Sequence, residues 1–521
     1  MNWKKFFKYT AATIFALLLM AMFWAGREGN RMYGAYTQVV DHEQFQPETG
    51  TFAIQNINVL APNGADFIAQ QTVLIEAGKI TTIAEQVALP TNAKIIDGTG
   101  KYLIPGLIDA HVHLFQSPND LLLYIANGVT EIRELIGSDN HLAWKKEIEQ
   151  GRVGPKMFVA SPRLGSFSNL EGFFMEQSQG FRNVQDAEQA RQIVQEYKDR
   201  GYDGLKIYSH LNQEAYVALT ETAKELDMPT FGHIPFVIGF DQVWNSGQSD
   251  IAHFEEIMNA LQREFSHKKK EDLASMFGGF MEREEAFLAY TEQRSNELAD
   301  SLIAHDISVT STLWLTQSFA RQKVELDRVL TEIELAYENP GISEGTPMVT
   351  RALGWLPHVN RYRFYDGITE NEKVGNIKYW QAYGDACQLI AKNFAQKGVK
   401  IMAGTDANLP PTVPGFSLHD ELISLKTAGM TTAQVLQSAT ATPANWLKSN
   451  TGQIATGYAA NLVLLDKNPL EDISNTKAIN TVIANGKVYD RSLLDQMLAA
   501  VKAVNDASRT IEISQYEKEK Y

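Results

Sequence analysis

The chain has 521 residues, 44% of them hydrophobic and 10% aromatic, a globular composition long enough for one large domain and a smaller one. Its formal charge of −15 leaves no cationic surplus to neutralise phosphates, which excludes nucleic acid as a partner. A single cysteine, Cys387, excludes an intramolecular disulfide and a cysteine-rich metal site, and its place in a helical stretch reads as a buried, inert thiol.

The chain opens with Lys4, Lys5 and Lys8, then runs uncharged and apolar from Tyr9 to Gly26. That is the layout of an export signal or of an N-terminal membrane anchor, and its length sits at the margin for spanning about 30 Å of hydrocarbon. Ala25 offers a small residue for cleavage, but the −3 position is then the bulky Phe23. In both cases the positive-inside rule sends the rest of the chain out of the cytoplasm. The expectation for residues 1–26 is therefore a signal or anchor of a periplasmic or membrane-attached protein, touching the membrane through residues 9–26 if the segment is kept.

Residues 27–50 are polar and read as a linker. Short strands follow in residues 51–103: Phe52 to Leu60, Gln71 to Glu76 and Gly78 to Ala84, separated by turns such as Ala61-Pro-Asn-Gly64. Comparable strands return in residues 451–492, at Ala460 to Asp466 and Ala478 to Tyr489, and residues 493–521 read as a helical tail. Between them, over 104–450, strands alternate with helical stretches, as in a parallel sheet with helical crossovers. Asn127 to Arg133 reads as the second such strand, Pro155 to Ser161 as the third and Ile307 to Leu313 as the seventh. Eight such units make an α/β TIM barrel, whose active sites sit at the C-terminal ends of the strands.

The chemistry concentrates at those ends. The segment Leu103-Ile-Pro-Gly-Leu-Ile-Asp-Ala-His-Val-His-Leu114 feeds His111 and His113 from an apolar run. Residues two apart on a strand share a face, so both imidazoles reach one metal ion; on their own they read equally as two surface histidines. Asp109 is placed to orient a histidine from behind. Lys206 lies inside the apolar strand Asp203 to Tyr208, His233 and His253 end two further strands, and Asp406 ends a fourth.

At these residues the chain resembles the amidohydrolase superfamily, and within it the imidazolonepropionase-like and Xaa-Pro-dipeptidase-like members. The order His-x-His, Lys, His, His, Asp is that family's two-metal signature, and the resemblance runs from about Thr51 to Asp490. It implies a barrel beside a β-sandwich built from both ends of the chain, and two divalent metal ions, zinc first. His111, His113 and Asp406 would hold one ion and His233 and His253 the other. Lys206 would bridge them as a carbamate formed with carbon dioxide. That needs a neutral amine, which burial favours; the plain alternative is a salt bridge inside the barrel. The implied reaction is hydrolysis of a C–N bond in a small substrate by a metal-bridged hydroxide, with Asp406 moving the proton. An Xaa-Pro-type dipeptide, an N-acyl amino acid or a cyclic amide would be the substrate. An imidazolone-type deaminase, a lactone or ester hydrolase and a metal-free binding protein are the alternatives.

Four further readings are open on the sequence. Arg133 pairs with a substrate carboxylate or forms a rim salt bridge. Tyr208 donates to the carbonyl oxygen or packs. His419, in Pro414 to Leu422, works on the substrate side or is structural, and His210 caps the next helix or faces the substrate. The long stretches 258–290, with the basic run His267-Lys-Lys-Lys270, and 316–380, rich in aromatics, shape specificity or form a peripheral cap or a homo-oligomer contact.

Overall fold

The computed structural model describes residues 3–266, 284–346 and 353–516. The basic run at 267–270 and much of the first long insertion lie outside the described residues.

The first strands are β1 (Glu48–Thr49), β2 (Phe52–Leu60), β3 (Phe67–Glu76), β4 (Lys79–Ala84), β5 (Lys94–Asp97) and β6 (Tyr102–Pro105). Only Gly106 separates β6 from the first barrel strand. The barrel strands are β7 (Leu107–Val112), β8 (Val129–Glu134), β9 (Lys156–Val159), β12 (Leu205–Ile207), β13 (Thr230–Gly232), β14 (Asp250–Ala252), β15 (Ser308–Thr310) and β16 (Ile401–Met402). Between β9 and β12, β10 (Arg163–Gly165) and β11 (Phe181–Asn183) form a parallel extension beside the mouth. The barrel pairs are all parallel. Two seams close the circle. Asp203 N donates to Val159 O at 2.9 Å and Ser161 N to Gly204 O at 2.9 Å, while Ala110 N donates to Ala403 O at 2.9 Å and Asp406 N to His111 O at 2.9 Å. Every residue of β7 is buried, as expected for a strand covered on both faces.

The chain ends with β17 (Leu462–Leu465), β18 (Ile479–Ala484) and β19 (Lys487–Asp490). Antiparallel pairing of β6 with β17 joins the two chain ends into one hydrogen-bonded sheet, ordered β1-β19-β18-β17-β6-β2-β3-β4 with β5 on β2. The small β domain that the resemblance implied is therefore built from both ends of the chain, with its strands in one continuous ladder. One apolar core runs through this sheet and the barrel. The expected tail is a docked helix, Arg491–Ser508, whose Asn505 Nδ2 donates to Tyr337 O at 3.0 Å.

The long insertion is not a loose loop. It supplies helices Leu313–Val324, Leu326–Glu332 and Pro340–Glu344, and leads into Glu370–Lys397, where Cys387 is buried. Trp355 is fully buried and packs in a cluster with Leu330, Ile342, Val413 and, from the C-terminal tail, Ile513.

The N-terminal residues form helix α1 (Trp3–Met32). Its last turn docks on the insertion: Met32 is buried and Arg31 pairs with Glu344 at 3.2 Å. Tyr9, Phe15, Leu17, Phe23 and Trp24 are exposed. Among the described residues, no helix is long and apolar enough to cross a membrane, so the expected anchor finds no support in α1.

Candidate metal centre

The spacing of His111 and His113 does what strand geometry requires. Both rings enter the mouth of the barrel, with centroids 5.0 Å apart and Nε2 atoms 3.3 Å apart. Asp406 reaches them from the end of β16: its Oδ1 lies 2.8 Å from His113 Nε2 and 3.5 Å from His111 Nε2. His253 follows β14, and its ring centroid is 4.4 Å from that of His111. Ligand atoms of His111, His253 and Asp406 lie within 4.8 Å of one another. His233 stands beyond His253, with ring centroids 5.3 Å apart. His253 and Asp406 both have positive φ, 72° and 58°, a conformation that costs a non-glycine residue energy and concentrates at working sites.

Lys206 is 1% exposed, and its Nζ has no hydrogen-bond partner. Room for its side chain comes from Gly232. At φ 122° a Cβ there would lie 2.3 Å from Ile207 O and 3.1 Å from Lys206 Cδ. His111 Nδ1 and His113 Nδ1 are also buried without hydrogen-bond partners. Buried polar atoms are ordinarily satisfied, so unmatched atoms on histidine and lysine beside the Asp406 carboxylate fit a site for divalent metal.

Burial, and then the Lys206 charge, hold His111 and His233 well below the usual histidine range. Burial alone dominates at His253, pulled down to about 3. Neutral imidazole is the metal-binding form. At His113 burial pulls the same way, but the Asp406 carboxylate outweighs it and leaves the ring raised. Asp406 is pushed up by burial and down more strongly by His113, and ends low. Burial brings Lys206 down to about 8.

A ring of groups that the sequence reading did not single out orients these side chains. Ser209 Oγ is 2.7 Å from His233 Nδ1, with Glu256 Oε1 at 3.3 Å. Thr312 Oγ1 is 2.9 Å from His253 Nδ1. Such partners fix ring orientation and leave Nε2 for the ion. Glu134 Oε1 stands 3.7 Å from His113 Nδ1, an electrostatic neighbour and not a hydrogen-bond partner. The signal available for Glu134 was its place at the end of a strand, and for Glu256 its place in the first turn of the helix after one.

The structure thus brings His111, His113, Lys206, His233, His253 and Asp406 to one mouth. It does not bring Arg133 there. Arg133 is fully buried, pairs with Asp250 at 2.8 Å and lies 4.0 Å over Trp446. It is neither a substrate contact nor a rim salt bridge, because its side chain points into the barrel. His419 is also elsewhere. It is buried between Thr476 Oγ1 at 2.9 Å and Asn127 O at 3.2 Å, with both ring nitrogens engaged. Asp109 does not orient an imidazole; its carboxylate accepts from His111 N, Thr405 N and Thr405 Oγ1. Tyr208 is half-buried and stacks on His233 at 4.1 Å. His210 precedes the next helix, which Asn212 caps, and packs between Phe167 and Phe236.

A cavity of about 420 Å³ adjoins the mouth, lined by Phe115, Ser138, His141 and Arg163 among others. A second, of about 640 Å³, lies between the small sheet and the opposite end of the barrel, around Gly78, Lys156 and Gly486. The first lies on the side of the strands' C-terminal ends and meets the site through Phe115, whose ring centroid is 5.9 Å from that of His113; none of the six proposed ligands lines it.

Residues 384–489 match the model of the amidohydrolase family. A dihydroorotase of Anaeromyxobacter dehalogenans (strain 2CP-C) is 34% identical over 58 residues, 11% of this chain and 13% of that protein. The curated match thus spans a small part of its relative. A putative prolidase from Bifidobacterium longum superposes over 87% of this chain and all of its own, at TM-score 0.59 and 20% identity. A bottromycin amidohydrolase covers 92% of this chain and 96% of its own, at TM-score 0.65 and 19% identity. These two likenesses are of fold.

Proposed function

We propose that this chain is a member of the amidohydrolase superfamily, akin to its Xaa-Pro dipeptidase-like members, and that it hydrolyses an amide-type C–N bond of a small substrate. The observation that carries the reading is the convergence of four imidazoles, one carboxylate and one unpartnered buried lysine at the C-terminal mouth. His111, His113 and Asp406 would hold one divalent ion, His233 and His253 a second, with zinc suited to this donor set. Such ions polarise a carbonyl and acidify water.

The chain's own residues do the rest. Lys206, brought down to about 8 by burial, has a sizeable neutral fraction near neutral pH. Its amine would add to carbon dioxide with loss of one proton, giving a carbamate whose single negative charge is shared by two oxygens able to serve as metal ligands. Asp406 Oδ1 sits amid the imidazoles, within reach of an attacking water, and can take its proton and return it to the leaving nitrogen. Tyr208 would donate to the carbonyl oxygen, a role that its nearness to His233 supports. The fold of a putative prolidase favours a dipeptide-like or N-acyl amino acid substrate over an ester. The lysine-led apolar N-terminus supports export from the cytoplasm, testable by fractionating cells that express the full chain.

Metal analysis of purified protein, with a panel of dipeptides and N-acyl amino acids assayed before and after chelation, tests the reading. Metal-dependent release of an amine supports it. Metal content below one ion per chain after zinc loading would remove it.

A further inference from the structure

Arg133 lies below the site, yet an unneutralised cation does stand at its mouth. Arg163 opens β10, just past the third barrel strand. Its guanidinium lies 4.5 Å over the ring of Phe181 and 5.4 Å from that of Tyr208. Tyr208 stacks in turn on His233, so an unbroken stack runs from the proposed ligands to this arginine. His233 and Tyr33 both feel its charge.

What Arg163 bonds to is equally informative. Its Nη2 donates to a neutral acceptor, the backbone carbonyl of Gln179, and its Nε is buried without a partner. Among the described residues no carboxylate pairs with it. The other arginine lining the same cavity, Arg200, is neutralised by Asp139 at 2.5 Å and Glu196 at 3.1 Å. The cavity's remaining wall includes the start of the helix Asp139–Glu149, capped by Ser138. A helix N-terminus adds partial positive charge to what Arg163 already supplies. One guanidinium without a carboxylate partner, lodged between two aromatic rings set at 82° to each other, thus lines a cavity of about 420 Å³ at the C-terminal side of the barrel. Stacking keeps the planar fork rigid, which suits bidentate recognition of a carboxylate.

We propose that Arg163 is a specificity-determining residue that receives a carboxylate of the substrate in this cavity. The class of substrate is then narrowed to amides bearing a free carboxylate, such as dipeptides or N-acyl amino acids, and neutral cyclic amides are disfavoured. The proposal rests on the hydrolytic reading for the scissile bond, but not for the binding of the acid.

N-acetyl-L-proline and N-acetyl-L-prolinamide differ at the carboxylate alone, and their binding to the full zinc-loaded chain can be compared by calorimetry. The wild type is expected to favour the acid by about 10- to 100-fold, the range for a charge-assisted hydrogen bond. Arg163→Met should abolish that preference while binding the carboxamide within about threefold of wild type, and Arg163→Lys should keep part of it. Circular dichroism and metal content establish that each variant is folded and loaded. A preference undiminished in Arg163→Met would place the carboxylate elsewhere, for instance on the ions, and overturn the proposal. So would an equal loss for both ligands, which marks Arg163 as packing. If the wild type hydrolyses no amide yet keeps an Arg163-dependent preference, the hydrolytic reading fails and this site stands. Amide hydrolysis without such a preference removes this site alone.

Discussion

Arg133 and Lys206 are both cations buried inside the barrel, at 0% and 1% exposure, and their surroundings are opposite. Arg133 meets Asp250 at 2.8 Å, and Asp250 also accepts from Thr310 Oγ1 at 2.9 Å and 3.0 Å. Asp250 opens β14, so this pair belongs to the layer nearer the strands' starts. Lys206 Nζ, by contrast, has no hydrogen-bond partner at all, whereas Arg133 lacks one only at Nε. A buried charge that is paired serves stability; one left without any partner has given up stability for a ligand. Chemistry is therefore better located by an unpaired buried charge than by buried charge alone.

That contrast is broken most forcefully from below. Arg133→Met should destabilise the fold by about 3–5 kcal/mol, because Asp250 is left charged and buried without its counter-ion. Denaturant midpoints check the loss, and turnover per folded, metal-loaded molecule should stay within a few-fold of wild type. A large fall in turnover at unchanged stability would place Arg133 in the chemistry after all.

The upper layer should respond the other way. Asp406→Asn is expected to lower turnover by roughly 100-fold or more, the range for a positioned proton-transfer group, while unfolding shifts little. Lys206→Met, which keeps the buried stem and removes only the amine, should remove most activity and weaken metal retention, yet leave the metal-free protein about as stable as before, since no hydrogen bond is lost. If Lys206→Met destabilised the metal-free fold by several kcal/mol, the lysine would be a structural partner like Arg133.

Much of the upper layer was legible because each ligand sits at the end of an apolar run, where strand polarity assigns it to the mouth. His111 and His113 needed only the two-residue period; Lys206, His233, His253 and Asp406 needed the repeat of strand and helix. The lower layer was not legible. Arg133 ends its strand in sequence, and nothing local says that its side chain turns inward to Asp250, 117 residues away. His419 misled for the same reason: its partners Thr476 and Asn127 are distant in sequence. Arg163 went unnoticed because a cation's value lies in the carboxylates it lacks, which sequence does not display. The continuous sheet joining β6 to β17 depends on a pairing more than 350 residues apart, a distance that strand patterning does not encode.

His419 gives a smaller, pH-dependent test. Burial, with Lys477 second, brings it from 6.5 down to about 3 in the folded chain. The unfolded chain therefore binds one proton more between those values, so stability rises with pH across that window and is lost as pH falls. At most this is about 1.4 kcal/mol per pH unit. His419→Gln should flatten the slope of unfolding free energy by up to one proton between pH about 3 and 6.5, with no change in substrate specificity. An altered kcat with an unaltered slope would return His419 to the substrate side.

The smallest effect is expected at the N-terminus, and it sharpens the contrast by extending it to the surface. Residues 28–32 belong to the fold: Glu28 accepts from Thr346 Oγ1 at 3.0 Å, Arg31 pairs with Glu344, and Met32 is buried. Before them, Tyr9, Phe15, Met20, Phe23 and Trp24 stand exposed at 53% or more. A run of exposed large apolar side chains adds nothing to the core and invites association. Removing residues 1–26 should thus change unfolding free energy by no more than about 0.5 kcal/mol, leave turnover and metal content intact, and reduce self-association in light scattering. Removing residues 1–32 should in contrast lower the midpoint measurably, because the docked turn goes with it. If the shorter deletion already destabilised the protein, the exposed stretch would be packing in solution against this chain or a second copy, and the boundary between fold and appendage would lie further upstream.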